Sequence, residues 1–255
     1  MRTDDTERTG GNHSGGRLES IDSLLPALLA RTVPVAISLP VAFAILVAAA
    51  ALSVPRVSWQ YFGLFATLVH ELGHAVAAIL TGRAVHGIRI RRDHSGDALS
   101  SGRGVFGTVV SGVFGYPAPA IVGAAQLWSV FAGFTSVALF AGGIVLILTL
   151  FVIRNVFGAV VVFVSTGIST LLWFFATPTV QSYALLVIGI ALLVGSVRAL
   201  LTVIDVHLRH RDQLATSDAY LLYRRTDIPS PFWLLLFTAL IGGCCVFAVA
   251  SYLSA

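Results

Sequence analysis

The residues that could do chemistry begin at His70-Glu71-Leu72-Gly73-His74. Two histidines four residues apart share one face of a helix. Imidazoles at that spacing can hold one zinc ion at about 2.0–2.1 Å. Glu71, next to the first histidine, leans over the place where a water would sit. Zinc lowers the pKa of such a water toward about 7, and the carboxylate can take its proton. The implied chemistry is metal-assisted hydrolysis, with His70 and His74 as ligands and Glu71 as general base. The chain has 7 His and 3 Glu. A shuffled sequence of this composition would show the pattern roughly 0.2% of the time, so chance is a poor explanation.

The element that must position these groups is apolar on all sides. Glu71 is the only glutamate after Glu19 and sits inside a hydrophobic run. A carboxylate between two imidazoles in lipid is costly unless paired or working. The rival reading is a polar cluster that only stabilises a helix bundle. Composition places the whole chain in the membrane: 56% of its 255 residues are hydrophobic and 11% charged, where a soluble domain has about 25% charged. Mean hydropathy is +0.88. Apolar runs at 33–52, 59–81, 104–125, 128–153, 156–176, 181–203 and 231–254 are each long enough to cross a hydrocarbon core of about 30 Å. The predicted fold is an all-α polytopic membrane protein of about seven transmembrane helices. Residues 1–31 read as a disordered cytoplasmic tail, and 32–255 as the membrane-embedded domain.

All 16 basic residues are arginine. With the N-terminus cytoplasmic, fifteen fall inside and only Arg56 outside, with Arg198 as an inner-end anchor. The positive-inside rule then puts the C-terminus outside. The arginines form no basic domain, so nucleic acid is not an expected partner. The adjacent Cys244 and Cys245 cannot frame a disulfide scaffold.

Three further segments bear on the site. Alternation in His86-Gly87-Ile88-Arg89-Ile90-Arg91 predicts a short strand, hence a small cytoplasmic β element after the second span. Its edge could hold an unwound substrate by strand addition; the plainer reading is a solvated loop that anchors topology. The run Ser111-Gly112-Val113-Phe114-Gly115-Tyr116-Pro117-Ala118-Pro119 must break the third span. It either lines a cleft or lets helices pack closely through small residues. Asn155, at an inner turn, could stabilise an oxyanion or hold a substrate backbone.

The sequence resembles the site-two protease family of intramembrane zinc metalloproteases, and within it the short bacterial and plant branch. The resemblance rests on His70 to His74 followed by Ala75, Ala77 and Ala78, then Thr81-Gly82, Ser95-Gly96, Gly115-Tyr116-Pro117 and Ser217-Asp218-Ala219. It implies zinc as cofactor, membrane-embedded or membrane-proximal protein substrates, and an integral protein of a bacterial cell membrane. In one respect the chain departs from the family. The family's third ligand is an aspartate in a Leu-Asp-Gly-type motif on a later membrane helix, yet no Asp or Glu lies between Asp97 and Asp205. That gap favours an alternative reading as a non-catalytic metal-binding scaffold or transporter.

A catalytic zinc uses three protein ligands plus water. Asp205 is the expected third, because it alone among the acids is contiguous with an apolar span. Asp218 is the rival, since Ser217-Asp218-Ala219 resembles a family feature; there it could instead cap a helix.

Overall fold

The computed structural model describes Arg31 and residues 34–254. The tail over 1–31 therefore falls, apart from Arg31, outside the described residues. The chain is mostly helical: α1 (Leu39–Ser53), α2 (Arg56–Leu80), a hairpin of β1 (Ala84–Ile90) and β2 (Gly96–Ser101), α3 (Val105–Val113), α4 (Ala118–Phe131), α5 (Thr135–Val152), α6 (Val156–Phe175), α7 (Pro178–Arg209), a 3₁₀ turn (Arg211–Thr216), α8 (Asp218–Thr226) and α9 (Ser230–Leu253).

Among the described residues, α2, α5, α6, α7 and α9 are long and apolar enough to cross a membrane. The pair α3–α4, bent by 60°, makes a sixth candidate span. The break falls at Phe114–Pro117, where the sequence demanded one. With 15 residues, α1 rises only about 22 Å, short of a core of about 30 Å. The expected seven spans thus become five or six. The boundary between α4 and α5 also lies later than read, at the Ala132-Gly133-Phe134 turn, where Gly133 takes a positive φ of 79° that suits glycine.

Buried side chains of α1, α3, α4, α5, α7, α8 and α9 form the largest apolar cluster, including Leu186, Phe237 and Ile241. A second cluster joins α2 to β1, α5 and α6 through Leu68, Ala75, Ile88, Ile90, Leu146 and Val162. A third cluster, Ala66, Val69, Ala118 and Leu192, packs α2 on α4 and α7 as well. The outer faces of α5 and α6 carry exposed Leu148, Phe151, Val160 and Phe163, surfaces suited to lipid.

The hairpin does not extend beyond the end of α2; it folds back along it. Ile88 and Ile90 are fully buried, and both strands pack on α2. At the turn, His94 adopts φ 66°, and its ring fills a notch at Gly63, where a Cβ would lie 2.5 Å from Nδ1. Thr67 Oγ1 donates to the His94 carbonyl at 3.2 Å. The turn is thus level with residues 63–67 of α2. The β element predicted from the alternating segment is present, but beside a candidate span rather than as a free loop after it.

The outer edge of β1 is closed. Arg154 N donates to Ile88 O at 2.8 Å. Asn155 Nδ2 donates to Ile90 O at 2.7 Å, and Asn155 Oδ1 accepts from Ile90 N at 3.1 Å. Among the described residues, β2 has no strand on its far side.

Arg198 requires a correction. Its guanidinium donates to the carbonyls of Ser53 at 3.0 Å and Val54 at 2.9 Å. It also lies 4.5 Å from the Trp59 ring centroid, a cation–π contact. It caps the last carbonyls of α1 next to the start of α2, at the same end as Arg56. The two arginines cannot be assigned to opposite faces of a bilayer, and the fifteen-to-one count fails at this residue.

Candidate active site

Helix α2 presents His70 and His74 one turn apart, with their Nε2 atoms 3.1 Å from each other. The third corner comes from Asp218, the first residue of α8. Its Oδ2 lies 3.3 Å from His70 Nε2 and 3.2 Å from His74 Nε2. Ligands about 2.0–2.1 Å from a tetrahedral zinc stand roughly 3.3 Å apart. The triangle therefore has the size of one face of a zinc tetrahedron. Asp218 Oδ2 is buried and makes no hydrogen bond among the described residues, an arrangement a bound cation would satisfy. Two imidazoles and one carboxylate suit zinc better than magnesium or calcium, which favour oxygen ligands.

Each corner is held from outside. His74 Nδ1 is 2.6 Å from the Ser111 carbonyl. A carbonyl only accepts, so Nδ1 carries the proton and Nε2 of the neutral ring turns its lone pair to the centre. Ser111 Oγ returns a bond to the His74 carbonyl at 2.8 Å, tying α3 to α2. The α3–α4 break passes against the cluster at Gly115, where a Cβ would fall on the His74 ring and lie 2.9 Å from Asp218 Oδ2; only glycine fits. Tyr116 then sets its ring edge-on to His70, centroids 4.9 Å apart, and stacks on Phe237 at 5.4 Å. Asp218 is anchored through α8, whose Ala219 and Leu222 are buried.

Glu71 is 4% exposed. The first residue of β2, Gly96, lies against it: a Cβ there would be 2.7 Å from the Glu71 carboxyl carbon. The edge strand therefore starts at the carboxylate.

Asp205 is not brought to this cluster. Helix α7 does continue through it, as read, but its carboxylate pairs with Arg209 Nε at 3.4 Å and His210 Nδ1 at 3.2 Å. It lines a surface groove with Ser53, Val54 and Arg198, so the acid that meets the two histidines is Asp218 and not Asp205. Asn155 spends its amide on Ile90, as described above, and so holds the hairpin rather than facing the cluster. Ser111 and Tyr116 were not singled out individually. Their signal was the Ser111–Pro119 break, but which helix that break packs against is not written in its own residues.

A family model described as peptidase M50B-like matches residues 43–249. The chain belongs to the peptidase M50B-like family. No curated protein and no solved structure matches it. The M50B-like match covers most of the chain, including His70, Glu71, His74 and Asp218. Membership of this group of site-two type makes the chain a membrane protein of metalloprotease kind.

Proposed function

We propose that the protein is an intramembrane zinc metalloprotease that hydrolyses peptide bonds of membrane-embedded or membrane-proximal substrates. The observation that carries this reading is the convergence of His70, His74 and Asp218 on a face of zinc size, with Glu71 on the same helix. His70 Nε2, His74 Nε2 and an Asp218 oxygen would hold the ion. When bound, zinc supplies Lewis acidity to the scissile carbonyl and to the attacking water. Glu71 takes a proton from that water and passes it to the departing amine nitrogen.

A helical substrate hides its peptide bonds, so it must unwind before the carbonyl can be reached. Among the described residues no strand covers the far edge of β2, so that edge offers an unwound segment backbone hydrogen bonds, and it begins at Gly96 against Glu71. With β1 closed by Asn155 and Arg154, an added strand has one edge to join.

The scaffold or transporter alternative drew its support from the missing acid between Asp97 and Asp205. Asp218 supplies that acid from beyond the gap, which removes the ground for preferring it.

Glu71→Gln tests the mechanism. An amide cannot accept the water's proton, so cleavage should fall by about 10²–10⁴-fold while zinc content stays at the wild-type level. Undiminished cleavage by this variant rejects Glu71 as the base.

A further inference from the structure

The attack of water on a peptide carbonyl moves the C=O π pair onto oxygen, and a donor aimed at that oxygen stabilises the developing charge. We infer that the Tyr116 hydroxyl is this donor, a catalytic residue that hydrogen-bonds the carbonyl oxygen during attack. The inference rests on the protease reading above.

Elimination narrows the choice first. Ser111 Oγ donates to the His74 carbonyl. The Asn155 amide donates to Ile90 O. Four nearby guanidiniums are engaged elsewhere: Arg83 with Thr108, Arg91 with Asp97, Arg154 with the His86 carbonyl, and Arg198 with Ser53 and Val54.

Geometry then favours the phenol. Tyr116 sits in the α3–α4 break directly after Gly115, whose backbone touches both His74 and Asp218. Its ring is fixed between His70, at an interplanar angle of 88°, and Phe237, stacked at 23°. A ring held on two sides places its hydroxyl without further ordering, as electrostatic preorganisation requires. The ring centroid lies 4.9 Å from that of His70, which keeps the phenol beside the metal triangle. A neutral donor also suits the place, because a cation there would pair with Glu71 and compromise the base.

The step balances without an added reagent. The water oxygen bonds to the carbonyl carbon, Glu71 accepts the water's proton, and Tyr116 keeps its own proton while sharing it with the oxyanion. The C–N bond then breaks, the pair returns to C=O, and Glu71 delivers its proton to nitrogen.

Tyr116→Phe in the full-length protein in lipid vesicles tests this, because phenylalanine keeps the contacts with His70 and Phe237. The probes are a quenched-fluorescent transmembrane peptide that the wild type cuts and a phosphinic analogue whose tetrahedral oxygens mimic the oxyanion. The expected result is a fall in kcat of about 10²–10³-fold, with KM and zinc content within about twofold of wild type. Affinity for the phosphinic peptide should fall while affinity for the uncleaved peptide holds. Unchanged kcat overturns the inference. So does a loss of zinc in parallel with kcat, which would make Tyr116 a support of the metal triangle. If the wild type holds zinc but cuts no transmembrane peptide, the protease reading fails and this inference with it.

Discussion

Asp218 Oδ2 stands 3.2 Å from His74 Nε2 although the two residues lie on helices far apart in the chain. The relationship ranks the acids by a direct test. Asp218→Ala removes one corner of the triangle and should leave a site of two imidazoles with greatly weakened zinc affinity. Asp205→Ala breaks only an exposed pair with Arg209 and His210, of a kind worth about 0–1 kcal/mol, and should bind zinc normally. Metal content after dialysis against a mild chelator reads the difference. The reverse pattern restores Asp205 as the ligand.

Gly96→Ala probes the start of the edge strand. The new methyl falls on the Glu71 carboxylate, so either the carboxylate turns or β2 moves away. Peptide cleavage should drop at least tenfold with zinc content unchanged. Cleavage at the wild-type rate would show that β2 can shift without disturbing the base.

Asn155→Ala separates positioning from substrate binding. It removes two hydrogen bonds to Ile90, each worth about 0.5–1.5 kcal/mol net. The expected loss is about 1–3 kcal/mol of stability, read as a lower unfolding temperature in detergent. A stable variant with a raised KM would instead return Asn155 to the role of substrate contact.

The juxtaposition of His70, Glu71 and His74 was legible because all three lie within five residues, where helix geometry alone decides their relation. The break at Phe114–Pro117 and the alternating strand were legible for the same local reason. Asp218 was ranked below Asp205 because contiguity with an apolar run is a one-dimensional criterion. What brings Asp218 to the two histidines is where α8 packs, with Leu222 against Gly112 of α3, and that depends on contacts remote in sequence. The end assigned to Arg198 failed similarly. A charge count sees an arginine near the end of a hydrophobic run, but not the carbonyls of Ser53 and Val54 that draw it to the α1–α2 turn.

That turn yields a topological prediction. Single cysteines at positions 56 and 205, in a Cys244→Ala, Cys245→Ala background, should react with a membrane-impermeant maleimide from the same side of sealed vesicles. Asp205 shares its groove with Ser53 and Val54, and Arg56 follows directly. Labelling from opposite sides would contradict this packing of α7 against α1.

The two imidazoles and the base lie on α2, whereas the carboxylate waits on α8. A ribosome makes these elements in that order, with α3 to α7 between them. With Asp218 as third ligand, a nascent chain that has already inserted α2 carries an unfinished metal site. It stays unfinished through the insertion of the intervening helices, until residue 218 is made and α8 seats on α3. For the protease proposed above, a last ligand placed late would keep the chain harmless to its neighbours in the membrane until nearly all of it has assembled.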